Sequence, residues 1–595
     1  MEPALAITMI PPAFLFILGA LLIPLLRGKI KAGFMLALPV GAFLLLWSMP
    51  DGNHWSLSAL GHDLILGRLD SLSRVFSYIF CLVTFIGLIF ALNVDDDLQY
   101  CAAFVYAGGA LGVTLAGDVF SLYVFWEIMA VASTFLILAR RSKAAQSAAI
   151  RYLLVHIFGG LCLLAGIILY VQRTGTTEFG LMQLSGIDSY LIFLGIAVNA
   201  AIPPLHPWLS DAYPEATVAG AVFLSAFTTK SAVYVMARIF PGTELLIWLG
   251  ATMTVFPIFY AVLENDIRRV LSYSLINQVG FMLCGIGIGT ALAINGTVSH
   301  AFCHILYKAL LFMAAGSVLH VTGKIRCTDL GGLYKTMPLT CMFCLVGSAS
   351  ISAFPLFSGF VSKSMIVSAA GHDKLIIVWL MLQFASAGVV DHAGIKVPFF
   401  MFFDHDSGIR AKEPPLNMLI AMGIAAGLCI FLGVYPYPLY DILPYPVEYI
   451  PYTGAHVVGQ LQLLLFGALA FCLLILSGYY PAEMRAINLD TDWFYRKLSL
   501  RLYRFSDSFL NKINQACETV LTQKFTDNLA IWTKNGTARL LVLLMLPVWR
   551  AMKLSKDRQT QLSERIDMLL RDGAVPIGIS VAGAAILLSG LYFFH

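Results

Sequence analysis

Charge is what this sequence has least of. Only 12% of its 595 residues are Asp, Glu, Lys or Arg, while 59% are hydrophobic and the mean hydropathy is +0.81. A soluble chain of this length needs a charged surface, so that class is excluded. Also lacking are a Gly-rich nucleotide loop, a nucleophile elbow, a haem motif, and any quinone, flavin or iron–sulfur motif. No cofactor is expected, and any redox chemistry would belong to partner subunits. Nothing points to nucleic acid. The opening "MEPALAITMIPPAF" lacks the basic stretch of a signal peptide, so the first apolar block is expected to be a retained span. The 11 cysteines lie mostly in apolar blocks, where they behave as small hydrophobes. The CxxC pair Cys341 and Cys344 in "CMFC" has no second pair nearby, and no metal is expected there.

What is abundant is apolar sequence in blocks of about twenty residues, long enough to cross a hydrocarbon core at about 1.5 Å rise per residue. The blocks predict an all-α polytopic membrane protein of about 14–16 transmembrane helices. The expected organisation is N-terminal spans over 1–98, a five-helix unit over 99–239, a second over 244–403, C-terminal spans over 415–478, an amphipathic segment over 479–573 and a final anchor over 574–595. Basic residues orient the spans. With the N-terminus outside, the odd-numbered loops hold about thirteen Lys and Arg, including "RGKIK" and "RRSK", and the even-numbered loops about four. In 479–573, Phe494, Leu498, Leu502, Phe505, Phe509 and Ile513 recur at helical spacing among many basic residues. Such a segment is expected to lie on the cytoplasmic face or along a partner.

Two spans carry the same kind of interruption. "VNAAIPPLHPWL" contains Asn199, Pro203 and Pro204, and "ISAFPLFSGFVSK" contains Pro355 and Gly359. Proline removes a backbone donor and frees carbonyls, which a membrane tolerates only inside protein or beside water. The breaks fall five spans apart. A five-helix unit repeated once inverts, and paired broken helices in inverted repeats mark ion pathways.

Ionisable residues sit at membrane depth along the same stretch: Glu127, Arg151, His156, Lys230, then His300, His304 and Lys308 at successive i, i+4 positions, then Lys363, Asp391, His392 and Lys396. Each charge at the centre of a span costs about 2.5–3.5 kcal/mol on insertion scales, so the series implies use. Glu127, Lys230, His300, His304, Lys308 and Lys363 are expected to form a proton pathway. Arg151, His156, His206, Asp391, His392 and Lys396 are further candidates. The two histidines with Cys303 nearby could suggest a metal, but Lys308 one turn on would repel a cation. A helical ladder of titratable groups fits better.

These residues resemble the antiporter-like subunits shared by Mrp-type Na⁺/H⁺ antiporters, respiratory complex I and membrane-bound hydrogenases. The motifs are "FWEIMAVAS", "PLHPWLSDAYPEA", "DIRRVLSYSLINQVGF", "SHAFCHILYKALLFMAAGSVLH" and "FPLFSGFVSK". Among the branches, "HAGIKVPFFMFFDHDSGIRAKEPPLNMLIAMG" and "INLDTDWFYRKL" bring the chain closest to the Mrp D-type subunits. The resemblance implies that Glu127 and Lys230 act in a first half-channel, that His300, His304 and Lys308 link it to a second, and that Lys363 lies toward the exit. One position departs from the family: where a lysine is usual on the first broken helix, this chain has Asn199, which cannot titrate. Lys230, Arg151 or His156 would then have to replace that lysine.

The function expected is a proton-translocating subunit of a multisubunit Na⁺ or K⁺/H⁺ antiporter in the plasma membrane, among other membrane subunits and lipid. A proton-pumping arm of a redox complex and a structural subunit with lapsed transport are the alternatives.

Overall fold

Among the described residues aspartate starts four of the helices and glycine ends four. In the computed structural model, residues 10–59, 61–481, 483–484, 488–571, 581 and 583–589 are described. The body begins with helices α1 (Pro12–Leu22) and α2 (Gly28–Ser48), a hairpin of β1 (Gly52–Ala59) and β2 (His62–Leu69), then α3 (Ser71–Ala91), α4 (Asp97–Leu115), α5 (Val119–Leu138) and α6 (Lys143–Thr174). Asp70, Asp96 and Asp118 cap α3, α4 and α5 by accepting from first-turn N–H groups that no helix can satisfy internally. Gly175 ends α6 in the left-handed region. The hairpin was not expected from the sequence, which reads there as a loop. It seats on the start of α5, where Ile65 donates to Asp118 Oδ2 at 2.7 Å and Gly117 donates to the Ile65 carbonyl at 2.9 Å.

Next come α7 (Ile187–Asn199) and α8 (Pro207–Ala212) around the first break, α9 (Val218–Ala226) and α10 (Thr228–Ile239) around a second, then α11 (Glu244–Leu263), α12 (Ile267–Ile288) and α13 (Ala291–Thr322). Helices α14 (Pro338–Ile351) and α15 (Ser358–His372) flank a third break. The last spans of the body are α16 (Ile376–Phe403), whose second half widens into π-turns, α17 (Leu416–Val434) and α18 (Gly454–Ser477). Among the described residues, twelve helices are long and apolar enough to cross a membrane, and three shorter apolar ones accompany them. The chain is an all-α polytopic membrane protein, with one small hairpin among the described residues. Most of the expected anchor at 574–595, and the first residues of the first expected span, lie outside the described residues.

The first and third breaks match residue for residue. At one, Ala201 donates to the Val198 carbonyl and Ile202 to the Ala197 carbonyl; at the other, Ala353 donates to Ser350 and Phe354 to Ala349. Ala201 and Ala353 both stand in the left-handed region, with φ of 56° and 57°. That conformation is unfavourable for a residue with a Cβ, and the paired hydrogen bonds hold it. The correspondence extends outward. Helices α6 and α13 both run 32 residues and end at left-handed glycines, Gly175 and Gly323. Asp118 and Asp266 cap α5 and α12 in the same way, and each forms a lone β-bridge, to Glu178 and to Arg326. In this register Tyr152, His156 and Gly160 of α6 stand where α13 has His300, His304 and Lys308.

The chain divides into two compact units, Met1–Asp492 and Trp493–His595. The described residues beyond α18 as far as Asp492 therefore belong to the first unit. The second unit holds α19 (Ser499–Cys517), α20 (Phe525–Lys534), α21 (Gly536–Ala551) and α22 (Lys556–Arg571). On α19, Leu502, Phe505, Phe509 and Ile513 are exposed, with the Phe505 and Phe509 rings stacked at 6.0 Å.

Candidate functional site

Lys230 follows the break between α9 and α10. The break frees the Ser225 carbonyl, and Lys230 Nζ fills the gap, donating to it at 2.6 Å and to Thr229 Oγ1 at 3.2 Å. Lys230 is fully buried, as are His304 and Lys308, while His300 is 1% exposed. These four interact electrostatically across α10 and α13. The His300 and His304 rings lie 6.2 Å apart. His300 is held on both sides, at 3.1 Å from Gln278 Oε1 and 3.3 Å from Ser362 Oγ, and Tyr307 donates to the same Gln278 oxygen at 3.1 Å. Lys308 Nζ and both ring nitrogens of His304 have no protein partner among the described residues.

Lys363 extends the line. Like Lys230 it reaches a carbonyl freed by a break, that of Ile351, at 3.4 Å, and its ammonium stands 5.3 Å over the Phe281 ring. It borders a cavity of about 530 Å³ also lined by Ser364, Ser368, Gln383, His456 and Gln460. His456, which sequence reasoning passed over, stacks on Phe360 at 4.3 Å. Gly359 is required by packing, because a Cβ there would overlap the Ser350 carbonyl oxygen. His392 is buried within the π-turn of α16 and interacts with Lys308, Lys363 and Lys396. The structure thus brings together Lys230, His300, His304, Lys308, Lys363 and His392.

The other expected residues stand apart. Glu127 on α5 points at α6, where a Cβ on Gly160 would overlap its Oε1, and it borders an apolar cavity of about 490 Å³ lined by Leu98, Val105, Val131 and Phe135. Arg151 is gripped by Asp211 through two hydrogen bonds of 2.7 and 3.0 Å. His156 is packed against Tyr152 at 4.0 Å and edge-on to Trp208 at 4.5 Å. Asn199 is fully buried at the end of α7, and neither its oxygen nor its nitrogen has a partner among the described residues. Asp391 sits on the same π-turn as His392 with Oδ1 unpartnered among the described residues. Lys396 donates to the carbonyls of Val262 and Glu264, at 2.6 and 2.8 Å, and so caps the C-terminal end of α11.

Part of the site comes from the chain after α18, where sequence reasoning placed only an amphipathic tail. Asp490 contacts His206 at 3.1 Å and accepts from Tyr273 at 2.8 Å. Thr491 donates to the Pro204 carbonyl at 2.9 Å, and Asn488 to Glu264 Oε1 at 3.0 Å. Glu483 meets Lys396 at 2.8 Å. Burial alone would raise the Asp490 pKa, but the His206 and Tyr273 hydrogen bonds and the His206 charge hold its carboxyl below the usual range. Burial raises Glu483, with Lys396 pulling it partly back. The signal available in the sequence was the acidic pair of "INLDTDW".

A family model described as "NADH:quinone oxidoreductase/Mrp antiporter, TM" matches residues 116–388, which contain every residue of the buried line but His392. The D-type subunit of the Na⁺/H⁺ antiporter of Alkalihalophilus pseudofirmus is 33% identical over 359 residues, covering 57% of this chain and 73% of that protein. The A-type subunit of the Na⁺/H⁺ antiporter of the same organism is 28% identical over 64% of this chain, which spans about half of that longer relative, 53% of its length. Among solved structures, a chain of the archaeal membrane-bound sulfane sulfur reductase, a respiratory membrane complex, superposes with a TM-score of 0.68 at 24% identity, covering 90% of this chain and 99% of its own. At that identity the likeness speaks to the fold. From the match to the D-type relative and the family model together, the chain belongs to the NADH:quinone oxidoreductase/Mrp antiporter transmembrane family.

Proposed function

We propose that this chain is the proton-translocating membrane subunit of a multisubunit monovalent cation/proton antiporter, working in the plasma membrane beside other membrane subunits. The observation that carries the reading is the set of buried amines and imidazoles, Lys230, His300, His304, Lys308, Lys363 and His392, gathered across α10, α13, α15 and α16. Buried amines and imidazoles in mutual electrostatic reach titrate as a coupled set, because each charge state alters the next group's affinity for protons. In this reading Lys363 empties into the cavity beside His456 and Gln383. The equivalence of the first and third breaks supports an inverted pair of five-helix repeats, since an odd number of crossings reverses the second copy.

The N-terminus is placed outside and residues 479–573 in the cytoplasm, as the basic loops favour. The contacts of Asp490, Asn488 and Thr491 fit that placement, because they fall at Tyr273, Glu264 and Pro204, beside loops assigned to the same face. The exposed apolar stripe of α19 suits a membrane surface or a partner helix.

The deciding experiment measures Na⁺- or K⁺-dependent proton flux in inverted vesicles carrying the intact complex. Cation-dependent flux that Lys308→Ala abolishes, with assembly kept, supports the antiporter reading. Flux that appears only with an electron donor would assign the chain to a redox complex. Normal flux from an assembled Lys308→Ala complex would reject the pathway.

A further inference from the structure

The buried line begins at Lys230, yet Glu127 lies elsewhere, against Gly160 of α6. No lysine bridges the two, since position 199 is asparagine. What fills the interval is a set of buried hydroxyls from four elements. Tyr106 of α4 meets Thr228 Oγ1 at 2.6 Å and accepts from the Thr228 backbone N–H at 3.0 Å. Tyr152 of α6 meets Ser133 Oγ of α5 at 2.8 Å. Thr228 also faces the Tyr152 and Tyr213 phenols at longer range. Tyr106, Tyr152 and Tyr213 are all fully buried, and Thr228 is 1% exposed. Buried phenols usually have partners: Tyr106 has Thr228 and Tyr152 has Ser133, while the Tyr213 hydroxyl has none among the described residues.

The register of the two repeats gives this cluster a counterpart. Where α13 presents His300, His304 and Lys308 on one stripe, α6 presents Tyr152, His156 and Gly160. The space that a lysine side chain takes at 308 is entered at Gly160 by the Glu127 carboxyl, reaching over from α5. One turn along is His156, with Nδ1 on the Tyr152 carbonyl at 2.9 Å and Nε2 unpartnered among the described residues. Its ring lies on the Tyr152 ring. Thr228 opens the half-helix that carries Lys230, whose Nζ donates to Ser225 and to Thr229, the residue next to Thr228.

We propose that Tyr152 and Thr228, supported by Tyr106, Ser133 and Tyr213, relay the proton between the Glu127–His156 end of the first repeat and Lys230. In the relay each hydroxyl oxygen takes a proton on a lone pair and releases its own to the next acceptor. The carboxylic acid of Glu127 becomes carboxylate, the Lys230 amine becomes ammonium, and no hydroxyl is left charged. The inference rests on the proton-pathway reading above and names how its first half is bridged without an amine on the broken helix.

The test uses the intact complex in inverted vesicles with Glu127→Gln, Tyr152→Phe, Tyr106→Phe, the double phenylalanine variant and Tyr152→His. Phenylalanine keeps the ring and its packing and removes only the hydroxyl. Each single variant is expected to lower proton flux at least about tenfold, as loss of a positioned proton-transfer group does. The double is expected to be no worse than the weaker single, because Tyr106 acts through Thr228 on the same path that Tyr152 serves. Tyr152→His, which installs the group found at the matching position 300, is expected to restore flux. Phenylalanine variants that keep wild-type flux while Glu127→Gln abolishes it would overturn the relay and leave the pathway standing. Indifference of flux to both would remove the two together. Loss in the phenylalanine variants without rescue by histidine would mean that Tyr152 holds structure and does not relay.

Discussion

His206 and Asp490 are 284 residues apart in sequence and 3.1 Å apart in space, both nearly inaccessible to solvent. One lies just after the first helix break and the other at the last turn of chain before the second unit. With Thr491 on the Pro204 carbonyl, the pair straps the loop of the broken helix to the chain that leads into the amphipathic helices.

The strap gives the first prediction. Asp490→Asn keeps size but loses the charge facing His206 and is expected to destabilise the complex by about 1–3 kcal/mol, as removing one partner from a buried hydrogen-bonded site does. The Asp490 pKa is lowered by folding, so the stabilisation is complete above its unfolded value of about 3.8 and is lost as pH falls through the lower, folded value. Thermal unfolding in detergent should therefore show a deficit for Asp490→Asn from pH 8 down to 5 that closes only in stronger acid. A deficit that vanished between pH 7 and 5 would locate the relevant titration elsewhere.

A second prediction concerns the smallest residue of the site. A methyl group at 160 would overlap the Glu127 Oε1 atom, so Gly160→Ala should push the carboxyl out of its seat while keeping the helix. Alanine is the better helix former by about 1 kcal/mol, so stability should hold or rise. Proton flux should fall about as far as in Glu127→Gln. Unchanged flux in Gly160→Ala would show that the carboxyl works in another position.

The third separates support from transport at Lys396. Its three contacts, with two carbonyls ending α11 and with Glu483, are those of a cap. Lys396→Met would leave a buried carboxylate unpaired, costing about 3–5 kcal/mol. Lys396→Met with Glu483→Gln should recover most of that stability. Flux per assembled complex is expected to be normal in the double variant. A double variant that is stable but inactive would return Lys396 to the proton path.

Much of this was legible in the sequence because charge is so expensive in a bilayer. Glu127, Lys230, the 300–308 stripe and Lys363 stood out as ions in apolar runs, and the proline breaks announced themselves by chemistry. The hydroxyl cluster did not, since Tyr106, Tyr152 and Thr228 are ordinary in apolar helices and gain meaning only when four elements converge. Nor did the partners of Lys396 and His206, because Glu483 and Asp490 reach them from distant chain that reads as an amphipathic segment along the cytoplasmic face. The β1–β2 hairpin was hidden for another reason: its strands are half-exposed and short, and its seat is made by Asp118, an N-cap from the next helices.

Orientation can be checked with two cysteines. If the basic loops are read correctly, a membrane-impermeant thiol reagent applied to whole cells should label Thr453→Cys, which sits at the start of α18, and not Ser555→Cys between α21 and α22. In inverted vesicles the pattern should reverse. The native exposed cysteines, Cys472 and Cys517, must first be replaced by serine. Labelling of Ser555→Cys from outside would turn the protein over, exchanging the roles of the Lys363 cavity and the strap.

The last prediction returns to Asn199. Helix α7 packs directly on α10, and Phe193 meets Phe240 at 5.6 Å at the far end, which puts Asn199 toward the Thr228–Lys230 end. Its amide is buried with neither atom partnered among the described residues, so a longer polar chain would find no counter-charge there. Asn199→Lys would place a second amine near Lys230, and like charges in a low-dielectric site lower each other's affinity for protons. Transport by Asn199→Lys should therefore lose its alkaline range, since both amines give up protons at lower pH than Lys230 alone. Combining it with Lys230→Ala removes the repulsion and should restore part of the flux that Lys230→Ala loses. The measurement is cation-dependent proton flux at several pH values for the two single variants and the double. Strictly additive losses in the double would show that positions 199 and 230 never share a proton, and the idea that Lys230 stands in for the missing lysine would fall.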